Sequence, residues 1–294
     1  MRRLRLAESL VACALAAPGL FLLVALFILP VAGVLVIAFT DWQFGAASLN
    51  FVGLKNFTEI FADAAFRKAL ANTMLYTAIV VPGTIVLGLA VALAIESGQT
   101  MRAFYRAVHF LPYMATLAAM AITWEALLHP TIGLVNQVLT AAGLPTANWL
   151  RDERTVLPVL AIIGIWQNLG FAMVLFLAGL TAIPRDLYDA ADVDGIDFWF
   201  DRFRLITLPM LGPVLMFVVI VVALHGLEIF DTVQTLTQGG PNHASDVLLY
   251  TLYRESFQYL RTGYGAAVTV VFLMIVVALT LIQTRIMDRK VHYQ

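Results

Sequence analysis

Six stretches of this 294-residue chain are apolar for long enough to cross a bilayer, and no other feature restricts its fold as much. A hydrocarbon layer of ~30 Å takes about 20 residues of helix, each rising ~1.5 Å. The stretches near 12–40, 70–95, 106–128, 156–182, 209–232 and 264–286 reach that length without a lone charge at the centre. Inside the layer no water can satisfy backbone N–H and C=O groups, so such stretches are expected to be helices. The expected fold is therefore an all-α integral membrane domain covering residues 1–294, with six transmembrane helices. The third stretch carries His109, Pro112 and Glu125, which sets it apart from the other five.

Composition narrows the function. The chain is 61% apolar and 13% charged, against about 25% charged in soluble domains. Eighteen basic residues nearly balance nineteen acidic ones, so charge gives no sign of a nucleic-acid partner. The single cysteine, Cys13, excludes an intramolecular disulfide and a thiolate zinc cluster. His109, His129, His225, His243 and His292 are not at ligand spacing, so no metal is expected. Neither a Gly-x-Ser-x-Gly elbow nor a His-Glu-x-x-His pair is present, and no catalytic residues are expected. The start, MRRLRLAESLVACALAAPGL, imitates a secretory signal. Apolar sequence continues to Phe39, however, beyond the 7–15 residues of a cleaved signal core. The segment reads as an uncleaved first helix.

An even span count puts both termini on one side. That side receives Arg2, Arg3, Arg5, Arg102, Arg106, Arg185, Arg202, Arg204, Arg285, Arg289 and Lys290, eleven of the eighteen basic residues. The positive-inside bias makes it the cytoplasm. The fourth connection, residues 184–209, then lies inside and carries Asp186, Asp189, Asp192, Asp194, Asp197 and Asp201. Arg185 to Asp194 is helix-compatible, and Ala190 and Ala191 leave room for close approach by another backbone. Gly195 can close that helix in a left-handed conformation. Phe198 to Ile206 supplies a second helical piece, and Leu208-Pro209 opens the fifth span. The spacing predicts a helix–glycine–helix elbow outside the membrane, suited to a partner's groove; the bland alternative is a solvated loop.

At these residues the chain resembles the EAA loop of ABC importer permeases, which runs acid-Ala-Ala, two residues, Asp-Gly, then a spacer to Ile-x-Leu-Pro. Asp189-Ala190-Ala191, Asp194-Gly195 and Ile206-Thr207-Leu208-Pro209 carry the likeness. Asp189 stands where Glu is usual, and the spacer from Gly195 to Pro209 is one residue longer than the pattern. Phe51-Val52-Gly53-Leu54-Lys55-Asn56-Phe57, Phe110-Leu111-Pro112-Tyr113, Gly133-Leu134-Val135-Asn136 and Leu236-Thr237-Gln238-Gly239-Gly240-Pro241 are similar to segments of the carbohydrate permeases of the maltose and glycerol-3-phosphate type. The ending Lys290-Val291-His292-Tyr293-Gln294 is similar to that of glycerol-3-phosphate permeases. The resemblance implies a type I importer permease fold in a bacterial inner membrane. It also implies a second homologous permease subunit, two ATPase subunits gripping the elbows, and an extracytoplasmic solute-binding protein. ATPase coupling would fall to Asp189, Ala190, Ala191, Asp194, Gly195, Leu208 and Pro209. The chain lacks a Gly-x-x-x-x-Gly-Lys-Ser/Thr loop, so ATP and Mg would be held by the partner ATPase and no cofactor by this chain.

Polar residues inside hydrocarbon are costly and are candidates for the substrate path. Trp166-Gln167-Asn168 in the fourth span offers a ring face and two amides, suited to a sugar. In the fifth span His225, Glu228 and Asp231 fall at i, i+3 and i+6 on one expected helical face, and His225 and Glu228 are the candidates there. Gly164 and Gly170 are expected to permit close helix packing. The competing class is an ion-coupled secondary transporter working without an ATPase, for which the same three groups would serve as a proton relay.

Overall fold

A computed structural model describes residues 2–98 and 100–288. Arg289, Lys290 and the similar ending at 290–294 lie outside the described residues. All regular structure described is helical, apart from one isolated bridge between Thr40 and Phe51. Apolar helical segments of spanning length occupy Ala12–Ile37, Ala64–Ser97, Val156–Thr181, Gly212–Leu236 and Thr262–Arg285, the fourth of them interrupted at 228–230. The chain divides into two units, residues 1–63 with 251–273 and residues 64–250 with 274–294.

In the first unit, the first span has no buried residue along Ala12–Ile37. Beyond it the chain turns on buried Asn56, whose side-chain amide donates to the carbonyls of Ala38 (2.9 Å) and Thr40 (2.8 Å). These carbonyls stand at the helix end, where no intrahelical partner is left. Asn50 donates to Asp41 from both its backbone and side-chain amides, which holds the Asp41 carboxyl below the usual carboxylate range. Arg261 pairs with Glu59 and Glu255 and lies over the Tyr264 ring at 4.2 Å.

The second unit is built on the helix Ala64–Ser97 lying along Val156–Thr181, with Gly212–Leu227 packed on both. Val80, Leu160, Met173, Phe176, Val218 and Val222 form its fully buried middle. Two hydroxyls within the second span are satisfied locally: Thr73 donates to Ala69 O (2.9 Å) and Thr77 to Thr73 O (2.8 Å). Thr73 Oγ1 also accepts from the backbone N–H of Leu248 at 2.9 Å, tying the later loop to the second span.

The third span expected at 106–128 requires correction. It consists of two helices, Arg102–Met114 and Leu117–Leu127, and the axes of residues 102–114 and 119–127 differ by 100°. Pro112 cannot donate to the helical ladder, and Ala115 (ψ 143°) and Thr116 (ψ 145°) are extended. The count of six holds with this bent pair taken as one crossing. Its first arm passes the fourth span at Gly170, where a Cβ would meet His109 O and stand 2.8 Å from Phe110 Cα. At Gly164 a Cβ would strike the Tyr76 hydroxyl. Both glycines are therefore contact points between backbones or between backbone and ring.

Gly170→Ala should destabilise the detergent-solubilised protein by about 1–3 kcal/mol, the usual cost of overpacking against backbone that cannot withdraw. Gly33→Ala, whose Cβ meets nothing within 4 Å, should be neutral or stabilising by up to about 1 kcal/mol through helix propensity. Thermal unfolding of the two variants side by side checks the contrast.

Candidate functional site

Two constructions in the second unit carry chemistry: the elbow at 184–209 and a cavity walled by the second, third, fourth and fifth spans.

The elbow's first arm is the helix Arg185–Val193, with Asp186 in its first turn, where a carboxylate complements the helix dipole. Ala191 is buried, while Asp189, Ala190 and Asp194 are exposed. Gly195 has φ +75°, the left-handed region that glycine enters without penalty. Its N–H donates to Asp192 O at 3.2 Å and that of Ile196 to Ala191 O at 2.9 Å. That pair of bonds is a Schellman closure, and it satisfies carbonyls the helix end would otherwise leave open.

Arg202 clasps the two arms. Its Nε donates to Ile196 O at 2.7 Å, and its Nη2 pairs with Asp192 and stands 3.7 Å from Asp197. Tyr188 Oη lies 2.9 Å from Thr207 Oγ1, joining the first arm to the base of the fifth span. Sequence alone assigns Arg202 only a cytoplasmic charge and Tyr188 and Thr207 no contact, because the Arg202–Asp192 and Tyr188–Thr207 pairs lie 10 and 19 residues apart along the chain. Val193 (88% exposed) and Trp199 (68%) stand out on the surface together with Phe198.

The second arm departs from expectation. In place of one helical piece over 198–206, a short helix Trp199–Arg202 passes into a π turn, Phe203–Thr207. A π turn is the form an α-helix takes when it absorbs one extra residue. It accommodates the longer spacer between Gly195 and Pro209. Leu208 and Pro209 begin only a short turn, Leu208–Met210, and the long helix starts at Gly212 instead of 209.

The cavity measures about 420 Å³. Gln167, Asn168, His225 and Glu228 line it, joined by Tyr76, Tyr113 and Asp231. Asn168 Nδ2 donates to Gly164 O at 2.9 Å, and Asn168 Oδ1 faces His225 Nδ1 at 3.1 Å. Tyr113 stacks on Phe171 at 5.2 Å between ring centroids and lies 6.5 Å from the His225 ring. Trp166 is not part of this wall. It meets Trp124 edge-on at 5.4 Å, because neighbouring residues on a helix point about 100° apart.

His225, Glu228 and Asp231 do not share one continuous helix face. The helix ends at Leu227, Phe230 (φ −142°, ψ −58°) leaves the helical region, and a new helix runs Asp231–Leu236. All three residues nevertheless line the cavity. Tyr76 and Tyr113 went unselected in the sequence; the available signal was a hydroxyl-bearing ring within an apolar run in each case.

Comparison with known proteins places these features in context. Residues 85–293 match the family described as binding-protein-dependent transport system inner membrane component. The chain is 31% identical over 290 residues to the sulfoquinovosyl glycerol transport system permease protein SmoG of Agrobacterium fabrum, covering 98% of this chain and 94% of that one. It is 31% identical over 283 residues to the sn-glycerol-3-phosphate transport system permease protein UgpA of the same organism, with 95% of each covered. A chain in the crystal structure of a bacterial alginate ABC transporter, in complex with an alginate pentasaccharide-bound periplasmic protein, shares the fold. The TM-score is 0.85 at 22% identity, over 97% of this chain and 96% of that one.

Arg202→Ala should loosen the elbow. Hydrogen exchange at the Gly195 and Ile196 amides is expected to quicken by up to about tenfold, since the partly exposed ion pairs add little beyond the bond to Ile196 O. Arg202→Lys should restore little of the protection, because one ammonium cannot span the three acceptors as a guanidinium does.

Proposed function

This chain belongs to the binding-protein-dependent transport system inner membrane components, and from that membership we infer that it forms half of the pathway by which an ATP-driven importer takes up a sugar or a sugar or glycerol derivative. It is a multi-pass ABC importer permease subunit of the type I fold. The names of its relatives, for sulfoquinovosyl glycerol and sn-glycerol-3-phosphate, support a polyhydroxylated solute. The ring-and-amide wall of the cavity suits one: tyrosines stack on ring carbons while Gln167 and Asn168 exchange hydrogen bonds with hydroxyls.

The observation that carries the reading is the elbow. A helix closed at Gly195, clasped by Arg202 and tied through Tyr188 to Thr207 is a stiff projection with exposed apolar and acidic residues. A separate ATPase can grip such a projection and move it as a rigid body. In this reading the exposed Asp189, Ala190, Asp194 and Gly195 contact the ATPase, buried Ala191 packs the arm against its own chain, and Leu208 and Pro209 pass the motion to the fifth span. A second, homologous permease completes the pathway, and two ATPase subunits supply ATP hydrolysis. An extracytoplasmic solute-binding protein delivers the solute, as the periplasmic protein in the alginate complex suggests by analogy of fold. Both termini face the cytoplasm, following the positive-inside bias. ATP closes the ATPase dimer, shifts the elbows and turns the cavity outward to receive solute, a displacement of one population of states by another.

Co-purification tests the reading. The tagged chain, expressed with its chromosomal neighbours, should bring down a second permease and an ATPase whose turnover rises with the binding protein. Solute movement into liposomes by this chain alone, without ATP, would replace it with the ion-coupled alternative. Within the complex, Gly195→Val should lower ATP-driven uptake by tenfold or more, because a β-branched residue resists positive φ. Gly195→Asn should retain more, since asparagine tolerates the left-handed region. Uptake assays in proteoliposomes compare the two.

A further inference from the structure

The cavity wall has a charge pattern that bears on which solutes it admits. Glu228 and Asp231 both line it and are exposed, and no lysine or arginine does so among the described residues. Neither carboxylate makes an ion pair among the described residues. The helix break at 228–230 brings this about, setting Glu228 at the end of one helix and Asp231 at the start of the next on the same wall.

The hydrogen bonds add to the pattern. Asn168 Nδ2 is spent on Gly164 O, so the atom turned to His225 Nδ1 is the amide oxygen, which only accepts. An N–H at His225 Nδ1 is the partner that this oxygen can accept. The wall offers two carboxylates as acceptors. Its donors include the neutral hydroxyls of Tyr76, Tyr113 and Thr232 and the amide of Gln167. Hydroxyl and amino groups, which donate, fit such a surface. Phosphate, sulfonate and carboxylate groups bring only acceptors and negative charge, and they meet like charge on this wall.

We propose that this subunit's half of the pathway selects sugars or polyols free of phosphate, sulfonate and carboxylate groups, with Glu228 and Asp231 as the selecting residues. The proposal rests on the importer reading above and narrows it. It separates the chain from its compared relatives, which are named for sulfoquinovosyl glycerol and sn-glycerol-3-phosphate.

The experiment uses the complete transporter in proteoliposomes. The solute held by the binding protein purified from its host is identified by mass spectrometry. Its ATP-driven uptake is then measured with the unaltered chain, with E228Q/D231N and with the charge-preserving E228D/D231E. The expected solute carries no anionic group. Uptake should fall at least tenfold in E228Q/D231N, chiefly through a raised KM, and E228D/D231E should recover most of it. A transported solute bearing phosphate, sulfonate or carboxylate overturns the proposal, as does unchanged uptake by E228Q/D231N or equal loss in both double variants. Absence of binding-protein-stimulated ATP turnover in the unaltered complex would instead remove the importer reading, and the selection argument with it.

Discussion

Hydrocarbon offers no hydrogen bonds, and most of what is regular in this protein follows from that. Each polar group that enters the layer must find its partner inside the chain or cost several kcal/mol. The backbone meets the demand with helices. Threonine hydroxyls meet it by donating to the carbonyl one turn back, as Thr73, Thr77 and Thr181 do. The same rule gives meaning to the exceptions, since irregular backbone at membrane depth is tolerated where it lines a cavity. The chain leaves helical geometry at Ala115–Thr116, two residues beyond Tyr113, and again at Glu228–Phe230. Tyr113 and Glu228 both stand on the cavity wall. The interruptions and the cavity coincide.

Stiffness is the second requirement, because an elbow that bends cannot transmit force. Three local devices supply it here. The Schellman closure fixes the first arm's end, the Arg202 fork fixes the angle between arms, and the hydrogen bond between Tyr188 and Thr207 fixes the elbow to the membrane helix. None involves a large buried surface, so the elbow's outer face, with Val193, Phe198 and Trp199, stays free for another subunit.

Length and polarity made the spans legible in the sequence, since a run of about 20 apolar residues has few other uses. The elbow's turn was legible at Gly195, because an acid-Ala-Ala helix followed by Asp-Gly leaves glycine the only residue there suited to positive φ. What periodicity could not reveal were departures from the helix itself. The bend after Pro112 and the break at 228–230 depend on which neighbours cover the freed backbone groups. Trp166 was grouped with Gln167 and Asn168 by adjacency, yet one residue turns a side chain about 100° and sends it to Trp124 instead. Arg202 and Tyr188 act across the elbow, and a reading along the chain has no means to pair them.

The two sites are mechanically one device through the fifth span. The helix Gly212–Leu227 has 16 residues, or about 24 Å at ~1.5 Å each. Thr207 and the elbow stand at its base, and His225 and Glu228 stand at its far end. A tilt of about 10° at the base would carry the far end through roughly 4 Å, comparable with the width of a sugar hydroxyl and its hydrogen bond. Gly226 lies against Thr77 of the second span, whose methyl would stand 3.2 Å from a Cβ, so the two helices approach closely there. The break at 228–230 ends the lever and lets the helix at Asp231–Leu236 keep its own orientation. In the proposed cycle, motion of the elbow would thereby become a change of spacing between Glu228 and Asp231. Both carboxylates line the cavity, so in the proposed transport cycle the step that admits solute and the step that releases it would act on the same pair.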